Sequence, residues 1–119
     1  MRTARATWNG VTLAESDQVV MLEGNAYFPP DAVNHDHLVE STTSTVCPWK
    51  GVARYYAVMA GGEVNPDAAW QYPNPSPLAR KIKGHVAFWR GVRVETVDPD
   101  RGEPGRGSSL LDRLLGRTT

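Results

Sequence analysis

Cysteine is nearly missing from this chain: Cys47 is the only one. No disulfide can close within it, and no cysteine pair offers a zinc site. A reducing, cytoplasmic setting is the simplest expectation. Charge of either sign is also not in excess, since 13 Lys plus Arg balance 13 Asp plus Glu. With no basic surplus to neutralise phosphates, no nucleic-acid partner is expected. Long apolar runs are absent, and nothing approaches the roughly 18 residues that a membrane span needs. The opening M-R-T-A-R-A-T-W-N-G carries two arginines but no apolar stretch behind them, so it does not read as a secretory signal. There is no phosphate-cradling glycine loop and no G-x-S-x-G elbow. No internal repeat is visible, and no cofactor is expected.

What remains is an ordinary globular composition. The chain has 119 residues, of which 40% are apolar, which suffices for one small domain with a single core. The unusual feature is four tryptophans. Tryptophan brings a large apolar surface and an N–H that needs a partner when buried. Such residues either fill a small β core or hold a flat ligand.

Along the chain, Asn9-Gly10 between β-prone residues signals a two-residue hairpin turn, with a strand on each side. Glu15-Ser16-Asp17 reads as a turn. Residues 19–28 read as a second hairpin with Gly24-Asn25 at its tip, ended by Pro29-Pro30. Residues 31–40 look helical or irregular, with Asp31 capping a single turn and Val33, Leu38 and Val39 facing inward. The hydroxyl run of residues 41–45 favours extended or looped backbone. Cys47-Pro48-Trp49-Lys50-Gly51 is a turn, and residues 52–60 form a strand apolar on both faces and therefore central. Residues 63–77 hold four prolines, which argues against a regular central strand there. Ser76, Pro77, Leu78 and Ile82 then outline a short capped helix that stops at Gly84. Residues 85–89 and 92–97 read as a hairpin about Arg90-Gly91. Residues 98–107 are a breaker-rich linker, and Leu110, Leu111, Leu114 and Leu115 would form the apolar stripe of a short terminal helix. The fold class is therefore mainly β: a single domain of antiparallel hairpins over residues 1–97, with one or two short helices, then a C-terminal tail over residues 98–119.

Several side chains could carry chemistry. Cys47 stands just before a turn that also carries Lys50; with His85 as base it would be a nucleophile, and Lys50 would stabilise negative charge. Against this, a free cysteine often serves as small apolar filler. Lys50 alone suits an anion or carboxylate, or a Schiff base if desolvated, or is simply a solvated turn lysine. Arg54, if buried, would need Glu23 or Glu40 as partner. His35 and His37 invite a metal, but two histidines and a distant cysteine form no recognised ligand pattern, so no metal is assigned. The aromatic set is Trp49, Tyr55, Tyr56, Trp70, Tyr72, Phe88 and Trp89; if Trp49, Trp70 and Trp89 converge they make a cage for a flat or cationic ligand, and if they do not they are core.

The strings C-P-W-K-G-V-A-R-Y-Y at residues 47–56, D-A-A-W-Q-Y-P at 67–73 and I-K-G-H-V-A-F-W at 82–89 follow in one order, with E-G-N-A-Y-F-P at 23–29 ahead of them. Together, over roughly residues 5–95, they resemble the family called domain of unknown function 427. That resemblance implies a small β domain, similar to the β-tent group that includes the thalidomide-binding domain of cereblon, Yippee and methionine sulfoxide reductase B. The paired Cys-x-x-Cys zinc ligands usual in those relatives are missing here. The family has also carried a nucleotidyltransferase label, yet this chain lacks a Gly-Ser motif followed by paired aspartates. Two functional readings stay open: a small-molecule pocket beside the 47–51 turn, with or without Cys47/His85 catalysis, and a non-catalytic module that recognises a peptide or protein. Oligomeric state is left undetermined.

Overall fold

Asn9 and Gly10 take φ of 54° and 78° in the computed structural model, which describes residues 3–97. That pair of left-handed residues is what a two-residue hairpin needs, because its twist matches that of the strands. It joins β1 (Thr3–Trp8) to β2 (Val11–Ser16), so the second strand runs through two of the residues expected to turn. β3 (Val20–Leu22) and β4 (Asn25–Tyr27) form the next hairpin. Its turn is Glu23-Gly24, at φ 54° and 81°, one residue earlier than the sequence suggests. Glycine is easy in that conformation, whereas glutamate is not.

Two 3-10 turns follow, Pro30–Ala32 and His35–His37. The cap comes from Asn34, whose side chain accepts from the Asp36 N–H, and not from Asp31. β5 (Leu38–Cys47) then runs as one ten-residue strand; its start was expected to be helical or irregular, whereas at residues 41–45 the extended backbone is one of the two expected. Val33 is buried as anticipated, but Val39 faces out at 46% exposure. β6 (Gly51–Ala60) is central, paired antiparallel with β5 and with β7 (Glu63–Gln71).

β7 overturns the proline argument. Of the four prolines, only Pro66 lies inside the strand. Asn65 pairs with Val58 and Ala69 with Tyr56, so Pro66, Asp67 and Ala68 together face one residue of β6. In such a bulge the missing N–H of proline leaves no ladder bond unmade. The helix expected after Ser76 is a 3-10 segment, Pro77–Ile82, kinked at Ala79. Leu78 is 78% exposed, and Ala79 and Ile82 are the residues that dock. β8 (Val86–Phe88) pairs with β7. β9 (Arg93–Val97) does not turn back on β8. It pairs with β1, with Ala6 opposite Val94.

The result is a three-stranded sheet in the order β2-β1-β9 and a four-stranded sheet in the order β5-β6-β7-β8. The β3–β4 hairpin leans on the free edge of β8, where Phe28 and Val86 exchange two backbone hydrogen bonds of 2.8 and 2.9 Å. Each face of the four-stranded sheet buries its own cluster. One, against the three-stranded sheet, contains Leu13, Phe28, Val58, Val86 and Phe88 with five alanines. The other contains Tyr27, Trp70, Tyr72 and Ile82 with Ala53, Ala79 and Ala87. Small side chains at the strand crossings let the layers close up; each larger one buried adds about 1.5–3 kcal/mol. Among the described residues no helix is long and apolar enough to cross a membrane. The leucine stripe at 110–115 and the 98–119 tail lie outside the described residues.

Candidate functional site

The second face of the four-stranded sheet opens to solvent as a pocket of about 250 Å³ lined by Asn25, Tyr27, Lys50, Tyr55, Trp70, Tyr72 and Trp89. Strand register makes it. Tyr55 of β6 lies directly across from Trp70 of β7, so both rings project on one side. Their centroids are 6.3 Å apart. Trp89, just beyond β8, comes within 5.7 Å of Trp70 at an interplanar angle of 76° and within 6.4 Å of Tyr55. Tyr27 meets Trp70 edge-on at 6.2 Å and accepts its indole N–H at 3.3 Å. The Trp89 indole N–H donates to the Asp67 carbonyl at 2.6 Å. That carbonyl belongs to a residue of the β7 bulge at φ 54°, so the bulge that accommodates Pro66 also anchors a wall of the pocket.

Lys50 ends the 47–51 turn. Cys47 pairs with Gly51, which makes Pro48, Trp49 and Lys50 a three-residue loop. Gly51 has φ of 118°, and a Cβ there would meet the Asn74 carbonyl at 3.3 Å. Glycine thus lets the loop pack on residues 74–76, where the Lys50 carbonyl accepts the Ser76 N–H at 2.9 Å and the Ser76 hydroxyl bonds the Trp49 carbonyl. The loop so held points the Lys50 side chain inward, and the residue is only 7% exposed. Its Nζ lies 5.2 Å from the Trp49 ring centre and 5.6 Å from that of Tyr72, and it donates to Glu23 Oε1. The second oxygen of Glu23 accepts the Trp49 indole N–H at 3.2 Å.

The electrostatics follow from that geometry. Burial opposes the charge on Lys50 more than any other single influence. The bond to Glu23 and the nearby Tyr72, Tyr27 and Cys47 charges outweigh it together and hold its pKa above the ordinary lysine value. The Lys50 hydrogen bond holds Glu23 below the ordinary carboxylate range, helped by the Lys50 charge and the Trp49 N–H against desolvation. Burial pushes the phenols of Tyr27 and Tyr72 up, with Lys50 pulling the other way.

The fold therefore brings Lys50, Tyr55, Trp70, Tyr72 and Trp89 to one cavity, with Trp49 behind Lys50. It sends the other residues elsewhere. Tyr56, next to Tyr55, points to the opposite face, packs against the first cluster and accepts a hydrogen bond from Gln71. Cys47 is half-buried against the second cluster and is not among the pocket residues. The His85 ring, through Nδ1, bonds the Lys83 carbonyl at 3.0 Å, and among the described residues no hydrogen bond joins it to Cys47. Arg54 is exposed, and Glu23 serves Lys50 instead. His35 and His37 bond the carbonyls of Pro30 at 2.9 Å and Met59 at 2.8 Å. Among the described residues no three His, Cys, Asp or Glu side chains converge as metal ligands.

Sequence reasoning missed Glu23, Asn25 and Tyr27, all on the β3–β4 hairpin. The available signal was glutamate beside Gly24, at a hairpin tip where asparagine or glycine is usual. A larger cleft of about 490 Å³ runs along β9 and the hairpin and includes Ala4, Met21, Phe88, Val94 and Glu95. It offers one ionisable side chain and one aromatic ring, so of these two the smaller pocket is the better equipped.

A model of the family described as Domain of unknown function (DUF427) matches residues 1–99. The search of curated proteins finds no match.

Proposed function

We propose, on the premise that this chain belongs to the DUF427 family of domains of unknown function, that its role is to bind a small planar molecule in the pocket of Tyr55, Trp70 and Trp89. The observation that carries the reading is convergence. Three large rings from three successive parts of the chain surround open space beside a buried lysine. A core would fill that space with their own packing, and drug-sized pockets run from about 300 Å³ upward. At about 250 Å³ this one suits a single ring or a fused pair. Stiff aromatic walls lose little entropy when a flat ligand inserts.

The test is a fragment screen followed by the indole N–H resonances of the four tryptophans. Ligands should move the Trp70 and Trp89 signals and leave that of Trp8 in place. Hits that bind while both pocket signals stay still would sink the reading.

The alternative, a non-catalytic peptide- or protein-interaction module, draws support from Trp89, which is 42% exposed with the Arg90 guanidinium 4.6 Å over its ring. A partner side chain could then enter where the small molecule would. A catalytic version adds Cys47 as nucleophile, His85 as base and Lys50 as the group that stabilises negative charge. It requires a thiol that labels faster than an unfolded cysteine and slows when His85 is replaced by Asn.

A further inference from the structure

We propose that the ligand of this pocket is a planar ring bearing a carboxylate, that Lys50 receives the carboxylate, and that Glu23 holds the same ammonium group while the pocket is empty. This deepens the reading above and rests on it.

An ammonium group has three N–H donors. Glu23 takes one of them, and the other near neighbours are the faces of Trp49 and Tyr72. Ring faces offset part of the charge but accept a proton weakly compared with oxygen. A lysine that is 93% buried by its 7% exposure, lines an open cavity and has donors to spare is a built receptor for an acceptor entering from the cavity side. A cationic ligand would meet like charge there. A neutral carbonyl would accept from those donors without the gain of opposite charge.

Glu23 supplies the second line of argument. Its carboxylate sits between the Lys50 ammonium and the Trp49 indole N–H, one donor to each oxygen. The pair shows a carboxylate to be a partner this ammonium takes; Glu23 and Trp49 stand outside the pocket lining, so a carboxylate in the cavity meets Lys50 from its other side. The residue reaches that position from a backbone φ of 54°, which glutamate adopts only at a price, and its own side chain is 46% exposed. The φ belongs to the hairpin turn, but a purely structural ion pair does not need the open side. A carboxylate held at a solvent-exposed hairpin tip can swing away when a competing one arrives, and Asn25, two residues on, stands at the pocket rim to meet it.

The experiment uses the full chain and three naphthalene probes followed by tryptophan fluorescence: naphthalene-2-carboxylate, its neutral carboxamide, and a 2-naphthyl trimethylammonium ion. The carboxylate should bind at least about tenfold tighter than the carboxamide, the ratio a charge-assisted hydrogen bond supplies. Lys50→Met should erase that ratio while the carboxamide still binds. Glu23→Gln should tighten the carboxylate several-fold and leave the carboxamide unchanged, with near-ultraviolet circular dichroism confirming that both variants remain folded. Equal binding of carboxylate and carboxamide, preference for the trimethylammonium ion, or a ratio that survives Lys50→Met would overturn the inference and leave the planar-ligand pocket standing. Failure of all three probes to perturb Trp70 or Trp89 would overturn both.

Discussion

The two faces of the β5–β8 sheet are made by the same strands and differ in almost every property. Neighbouring residues divide between them: Phe28 and Tyr27, Tyr56 and Tyr55, Ala69 and Trp70, Val86 and Ala87. The face toward β1 and β2 is mostly hydrocarbon, with the Tyr56 hydroxyl bonded to Gln71, and is closed by a second sheet. The opposite face carries phenol hydroxyls, indole N–H groups and an ammonium, and is covered only by a 3-10 turn, a three-residue loop and a hairpin tip. A closed face contributes stability through packing. A face assembled from loops has its polar groups held in position, yet leaves room between them. The site is thus an opening at the edge of the second cluster, on the side that no second sheet closes.

Substitutions on the two faces should therefore separate stability from binding. The largest effect belongs to Phe28→Ala, since Phe28 is fully buried and packs edge-on to Phe88 at 5.8 Å. A loss of about 3–5 kcal/mol in urea unfolding is expected; a loss under 1 kcal/mol would break the comparison. Trp70→Phe, on the other face, should lower stability by about 1 kcal/mol as the bond to Tyr27 disappears, but should weaken binding of a planar probe in titration calorimetry far more than Phe28→Leu does. Lys50→Met should stay within about 1 kcal/mol of the parent, because an apolar chain of similar length fills the buried place of the lysine and the Glu23 carboxylate left behind is 46% exposed to water.

Acid distinguishes the faces without any substitution in the core. A carboxylate whose folded pKa is lowered stabilises the fold above its unfolded value, and the contribution disappears as pH falls through the folded value. Glu23, lowered by Lys50, and Asp67, lowered by hydrogen bonds from Ser41 and Thr43, both belong to that class. Thermal unfolding should thus lose midpoint temperature as pH falls below about 4.5, the ordinary carboxylate value for Glu23. Glu23→Gln should flatten that limb, whereas Tyr56→Phe should leave its slope alone. The smallest contrast is between the adjacent tyrosines. Tyr55→Phe and Tyr56→Phe should each cost about 0.5–1.5 kcal/mol for one hydroxyl, but only the Tyr55 change should alter probe affinity.

The faces also show what the sequence can reveal. Membership of the family, the mainly β class, the Asn9-Gly10 turn and the central position of β6 were legible because each depends on local chemistry. The aromatic set was legible as residue types. Which side each ring takes was not, since that depends on register, and a one-residue difference sends Tyr56 away from Tyr55. Two bulges blurred the period further, with three residues opposite one at Ser41–Thr43 and again at Pro66–Ala68. Pro66 read as a strand breaker because a bulge cannot be seen without its partner strand. β9 was assigned to its sequence neighbour, although its partner lies at the opposite end of the described chain. Glu23 was weighed only as a partner for Arg54, because nothing local announces that a hairpin tip reaches a loop 27 residues later.

The bulge at Pro66 has a consequence for how such a chain can change in length. Within β6, deleting one codon would trade Tyr55 for Tyr56 and hand the ligand wall to the hydrocarbon side in a single step, with every residue beyond it reversed as well. The bulge already breaks the alternation, but only Pro66 of its three residues is exposed: Ala68 is buried in the first cluster and the Asp67 carbonyl holds Trp89. A change of length at Pro66 is absorbed without inverting the strand that follows. Gene-level length variation should accordingly be tolerated at Pro66 and purged from 67–68 and from 52–58, a pattern that a deep indel scan scored for folding would display.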